Sequence, residues 1–146
     1  MPEKVALVTG ANGGLGVSVT KALLEAGFSV VGLAPRIKQS DFDHPKFTAL
    51  PASLDSLAVA RQAVDTVIGR LGKIDVLAHL VGGFAGGSSV ADTDDATFQR
   101  MFEMNVNSTF HIFRAVIPHM RKAGSGRVVA IGSRAAEEPG DRKSVV

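Results

Sequence analysis

The sequence predicts an α/β protein in which a parallel sheet carries helices on both faces. Three observations lead there. Short apolar runs alternate with segments of helical period along the chain, glycines close the helical segments, and the first apolar run empties into a glycine-rich turn that opens a helix. Strands that alternate with helices pair in parallel, because each return to the sheet needs a crossover. Right-handed crossovers then distribute the helices over both faces, giving a doubly wound sheet.

The elements follow in order. Val5 to Val8 is a buried strand that ends at Thr9-Gly10. From Gly14 the residues Leu15, Val19, Ala22, Leu23 and Ala26 recur at helical spacing, and Gly27 stops the helix. Ser29 to Leu33 is the second strand, and Lys46 to Leu50 a weaker third. Leu57 to Leu71 is an amphipathic helix closed by Gly72. Ile74 to Leu80 is the fourth strand, followed by the loop Gly82-Gly83-Phe84-Ala85-Gly86-Gly87. A helix over 94–104, with Asp92 or Thr93 as its cap, precedes another over 106–122. Arg127 to Gly132 is the fifth strand. No repeat or low-complexity linker interrupts the run, so residues 1–140 read as one domain.

Composition narrows the function. A content of 45% hydrophobic and 21% charged residues in 146 positions suits one folded domain with its own core. The net charge of +2 is spread without a basic stripe, which argues against a nucleic-acid partner. No apolar run is long enough for a membrane span, and the N-terminus leads into a strand without a signal pattern, so a cytoplasmic location is expected. The chain has no cysteine, which excludes thiol catalysis and cysteine-held metal. His111 and His119 stand eight apart on one helix, too far to share a metal, and no metal site is expected.

The first turn, Thr9-Gly10-Ala11-Asn12-Gly13-Gly14-Leu15-Gly16, has the chemistry of a pyrophosphate site. Glycines allow positive φ and close backbone approach, and a helix N-terminus offers free N–H groups to an anion. No Gly-Lys-Ser/Thr follows, so it is not a P-loop. The pattern Thr-Gly-x-x-x-Gly-x-Gly on Thr9, Gly10, Gly14 and Gly16 resembles that of the short-chain dehydrogenases, and the resemblance runs over residues 4–139. It implies a Rossmann fold with strand order 3-2-1-4-5, incomplete at its C-terminal end. It also implies that Gly13, Gly14 and Gly16 lie beside a dinucleotide pyrophosphate, with Asn12 and Leu15 lining the pocket.

The second strand ends Gly32-Leu33-Ala34-Pro35-Arg36, without the acid that would bind an adenosine ribose diol. Arg36 suits a 2′-phosphate, which points to NADP, while Asp41 and Asp43 could fold back and keep NAD open. Ser53 stands where the family often has an Asp that contacts adenine.

The family's Asn-Asn-Ala-Gly after the fourth strand is His79-Leu80-Val81-Gly82 here, keeping only Gly82. A buried His79 can replace the first Asn as a polar strut. Met104 to Phe110 resembles the segment with the family's catalytic Asn, which aligns with Asn105 at a break between two helices; Asn107 is the runner-up. Gly126 to Ser133 resembles the fifth strand and its catalytic serine, Ser133, which would polarise a substrate carbonyl or hydroxyl.

The family's proton donor, a Tyr in Tyr-x-x-x-Lys, lies about a dozen residues beyond that serine, and its Lys lowers the Tyr pKa. This chain has no tyrosine, and Lys143 is the only lysine after Ser133. The tail Asp141 to Val146 departs from the family pattern, and its codons can match a common sequencing adapter, so it reads as a non-native extension. A natural truncated paralogue is the alternative. The fifth strand would then be left as an apolar edge.

The resemblance implies an NAD(P)-dependent oxidoreductase that moves a hydride between nicotinamide and a small carbonyl or alcohol, with a homo-oligomeric parent enzyme. The 146-residue chain is expected to be inactive. The alternative is a non-catalytic nucleotide-binding or dimer-forming module.

Overall fold

The computed structural model describes residues 3–133. Expectations for the tail and for Lys143 lie outside the described residues. Five strands form one sheet: β1 (Val5–Thr9), β2 (Ser29–Ala34), β3 (Phe47–Pro51), β4 (Val76–His79) and β5 (Arg127–Ala130). Their order is β3-β2-β1-β4-β5, and every pairing is parallel. This is the doubly wound α/β arrangement.

Period-two alternation divides the core into two layers. Val5 and Leu7 of β1 face the layer of α2 (Leu57–Leu71) and α4 (Ser108–Ala123), with Val64, Val67, Ile112 and Val116. Ala6 and Val8 face the other layer, with Leu24 of α1 (Gly14–Glu25), Phe42 and Phe47. Both faces of β1 and β2 are covered, which is why these strands read as unbroken apolar runs. Gly32 is small for a packing reason: a Cβ there would come 2.8 Å from side-chain atoms of Ile37 and Phe47.

The margins of the sheet differ. Beside β3, the Gln39 amide donates to the Phe47 carbonyl (2.7 Å) and accepts from the Ala49 N–H (3.0 Å), imitating another strand. Among the described residues β5 pairs with β4 alone, and Val128 and Val129 are exposed. The sequence reading of an apolar margin at β5 matches this exposure among the described residues.

Several boundaries move. β4 and β5 are shorter than the apolar runs that suggest them. Asp75, read as part of the fourth strand, instead receives the Val5 N–H on its carboxylate at 2.7 Å and straps β1 to the start of β4. The cap of α3 (Asp95–Phe102) is Asp94, neither Asp92 nor Thr93, because the Asp94 carboxylate accepts the Thr97 N–H at 2.6 Å. That bond also holds its carboxyl below the usual range. Asp92 and Thr93 bond Ser89 instead. Asn105 lies between α3 and α4 as expected, and the interruption is a π-helical segment, Glu103–Asn107, not a loop.

Candidate active site

The carboxyl ends of β1 and β4 lie side by side, with Thr9 opposite His79 in register. The crossovers diverge here, β1 leading through α1 to β2 while β4 continues toward β5, so this is the switch point where open α/β sheets bind ligands.

The turn after β1 is built on backbone. Gly10 adopts φ 66°, and its N–H donates to the Leu33 carbonyl at 2.8 Å. A Cβ on Gly16 would lie 1.9 Å from the Gly10 carbonyl oxygen, so only glycine lets α1 start this close to the turn. Gly13 is the N-cap residue of α1, and no side chain caps the first turn. Gly14 has nothing within 4 Å of its Cβ direction, and Leu15 is exposed. The turn therefore presents uncapped N–H groups at an open surface, the fit a pyrophosphate needs.

Thr9 is fully buried and organises the β4 side. Its hydroxyl lies 2.7 Å from His79 Nδ1, and the Leu80 and Val81 N–H groups approach it at 3.1 and 3.4 Å. His79 Nε2 lies 2.9 Å from the Thr109 hydroxyl. With 2% exposure, burial pulls the His79 pKa from its usual 6.5 down to about 4, so the ring is neutral near pH 7.

The Asn105 side chain clamps the glycine loop. Its Oδ1 accepts the Gly83 N–H at 3.0 Å, and its Nδ2 donates to the Gly83 carbonyl at 3.0 Å and to the Met101 carbonyl at 2.9 Å. A Cβ on Gly82 would come 2.8 Å from Asn105 Oδ1, so a side chain there would have to displace the Asn105 amide from Gly83. Asn107 lies in the same π-helical segment and is exposed. Next to the loop, a hollow of about 100 Å³ is lined by Phe98, Met101 and Asp94 among others. Among the described residues, that is below the about 300–1,000 Å³ of ordinary ligand pockets.

The remaining expected residues are more scattered. Arg36 is exposed two positions beyond β2. Asp41 folds back over the first turn, its carboxylate accepting the Lys38 N–H at 3.0 Å and reaching the Asn12 amide at 3.5 Å. The Ser53 hydroxyl donates to Asp55, directly after β3. Ser133 is exposed three residues beyond Ala130, which pairs with His79, so it lies past the same edge of the sheet.

Sequence reasoning overlooked Thr109. The available signal was its position four residues after Asn105 on a helix, the spacing at which a Thr hydroxyl bonds a backbone carbonyl; it donates to Asn105 O at 2.7 Å.

Comparison with known proteins agrees with this architecture. The family model for short chain dehydrogenases matches residues 4–145. A short chain dehydrogenase of Penicillium rubens, adrF, is 32% identical over 140 residues, covering 93% of this chain and 54% of the relative. The 7alpha-hydroxysteroid dehydrogenase of Escherichia coli is 34% identical over 143 residues, covering 92% and 54%. The chain thus spans about half the length of these relatives. An NADH-dependent reductase of alginate metabolism, A1-R′, solved in complex with NAD, superposes with a TM-score of 0.81 at 25% identity, covering 95% of this chain and 63% of that one.

Proposed function

The chain belongs to the short-chain dehydrogenase family, and on that premise we propose that the whole protein is an NAD(P)-dependent oxidoreductase acting between a small carbonyl and its alcohol. One observation carries this reading: the turn at the uncapped start of α1 lies against Leu80 and Val81, which lead into the Gly83 loop held by Asn105, at the switch point of the sheet. The turn from Thr9 to Gly16 would hold the pyrophosphate, and Gly82 would let the dinucleotide pass close to the backbone. When bound, the nicotinamide supplies or accepts the hydride.

The chain's own residues would position and polarise. Asn105 fixes the loop beside the ring, and Ser133 hydrogen-bonds the substrate oxygen. A positioned general acid is worth about 10²–10⁴-fold in rate, and within these 146 residues there is no tyrosine to serve. His79 is a poor substitute, because both of its ring nitrogens are engaged and its pKa lies near 4. The 146-residue chain should therefore turn over no substrate, which leaves nucleotide binding as its own activity. Assaying it with both cofactors over a panel of ketones and alcohols tests this; turnover above a Gly14→Val control would overturn it.

For the cofactor, exposed Arg36 and the lack of an acid at the end of β2 favour NADP. A second reading, NAD, is favoured by Asp41, whose carboxylate lies over the turn and would repel a 2′-phosphate. Thermal melts of the whole protein decide between them. Stronger protection by NADP than by NAD supports the Arg36 reading, and equal or stronger protection by NAD supports Asp41. No protection by either nucleotide would sink the proposal itself.

A further inference from the structure

The hydrogen atoms around His79 can be assigned by counting donors and acceptors. Thr9 Oγ1 has two lone pairs and one hydrogen. The Val81 N–H points at it, and so does the Leu80 N–H, which is shared with the Thr9 carbonyl (3.1 Å to the hydroxyl, 3.3 Å to the carbonyl); the two take the lone-pair side of the hydroxyl. The hydroxyl hydrogen must then be given to His79 Nδ1 at 2.7 Å, which leaves Nδ1 as the acceptor. A neutral ring accepting at Nδ1 carries its hydrogen on Nε2. That hydrogen goes to Thr109 Oγ1 at 2.9 Å, and the Thr109 hydroxyl donates onward to the Asn105 carbonyl at 2.7 Å. The reverse order would give Thr9 Oγ1 three donors and leave its own hydrogen without an acceptor inside a buried site.

We infer that His79, as the Nε2–H tautomer, is a positioning residue that ties the end of β1 to the π-helical segment and so sets where Asn105 holds Gly83. The chain of bonds runs in one direction, from Thr9 through His79 and Thr109 to the backbone of Asn105. The Asn105 side chain then returns across the loop to Gly83. A π-helical segment shifts the backbone hydrogen bonds off the α-helical register, and here His79 on the neighbouring strand holds it through Thr109. Asparagine, the residue the family resemblance leads one to expect at this place, is too short to reach both threonines across the span an imidazole covers. The inference rests on the proposed function only for what the held loop serves; the network stands on its own geometry.

The test reads the network without cofactor. Nitrogen-15 NMR of the His79 ring in the full chain should give a protonated Nε2 and an unprotonated Nδ1 at neutral pH; the opposite tautomer overturns the inference. Thr109→Val removes the acceptor while keeping the shape. It should speed hydrogen exchange at the Gly83 amide by about five- to tenfold, the scale of one hydrogen bond lost from the chain. Thr109→Ser should restore the wild-type rate. If Gly83 exchanges at the wild-type rate in Thr109→Val while the ring signals have moved, the coupling to the loop is absent and the inference fails. Should Thr109→Val not fold, slowed exchange in Thr109→Ser relative to Thr109→Ala provides the same comparison. Nucleotide binding is measured separately: a confirmed network without NAD(P) binding would fault the proposed function and leave this inference intact.

Discussion

Burial keeps His79 neutral down to about pH 4, whereas an exposed imidazole takes a proton near 6.5. The unfolded chain therefore binds more protons than the native one between those values. Stability from this residue is fully present above pH 6.5 and declines as the pH falls toward 4, by about 3 kcal/mol in all. We expect the urea midpoint to drop between pH 7 and pH 4.5, and to drop less in His79→Gln, whose amide does not titrate. Equal pH slopes for the two proteins would show that the native ring does protonate. At this scale the sequence was informative where chemistry is local. The buried strut role of His79 follows from the family resemblance, where it takes the place of the first Asn after the fourth strand. Its second partner does not, because Thr109 is 30 residues away and meets it only once α4 packs on the sheet.

Among the elements, the strand–turn–helix unit was the most legible, since each glycine answers to a steric demand of the backbone. Two of them separate folding from binding. Gly16→Ala drives a Cβ into the Gly10 carbonyl and should destabilise by about 1–3 kcal/mol or more, by chemical denaturation. Gly14→Ala meets nothing within 4 Å, so its stability should stay within about 1 kcal/mol of wild type. The added methyl stands where the pyrophosphate would lie, so nucleotide protection in thermal melts should fall. A Gly14→Ala protein that binds NAD(P) as tightly as wild type would place the ligand elsewhere. The π-helical segment was not legible. Its first and last residues, Glu103 and Asn107, have right-handed helical φ and ψ, so the change lies in the hydrogen-bond register, which no single-residue preference records. Hence the sequence places Asn105 between two helices but does not reveal that the interruption is π-helical.

For the molecule as a whole, strand order and the two-layer core follow from alternation and crossover handedness, and the sequence carries both. What it did not carry is how unequal the two margins are. Gln39, on a 3₁₀ turn with no hydrophobic signature, occupies the hydrogen-bonding groups of β3, while β5 shows bare valines. Val129→Lys should reduce self-association of the 146-residue chain in light scattering, because a charge on an unpaired strand opposes further pairing. If Val129→Lys and wild type scatter alike, the contact lies on another face.

The Gln39 side chain has a further consequence for how copies of this sheet can meet. Growth into a fibre by strand addition needs two receptive margins, one to join and one to extend. Here one glutamine occupies two outward groups of β3, so among the described residues β5 is the more receptive margin. If copies of the 146-residue chain associate through the sheet, we expect that association to close as a two-fold pair. Gln39→Ala would return the second margin to service and convert a closed pair into an open series, visible as a scattering mass that keeps rising with concentration instead of levelling at twice the monomer.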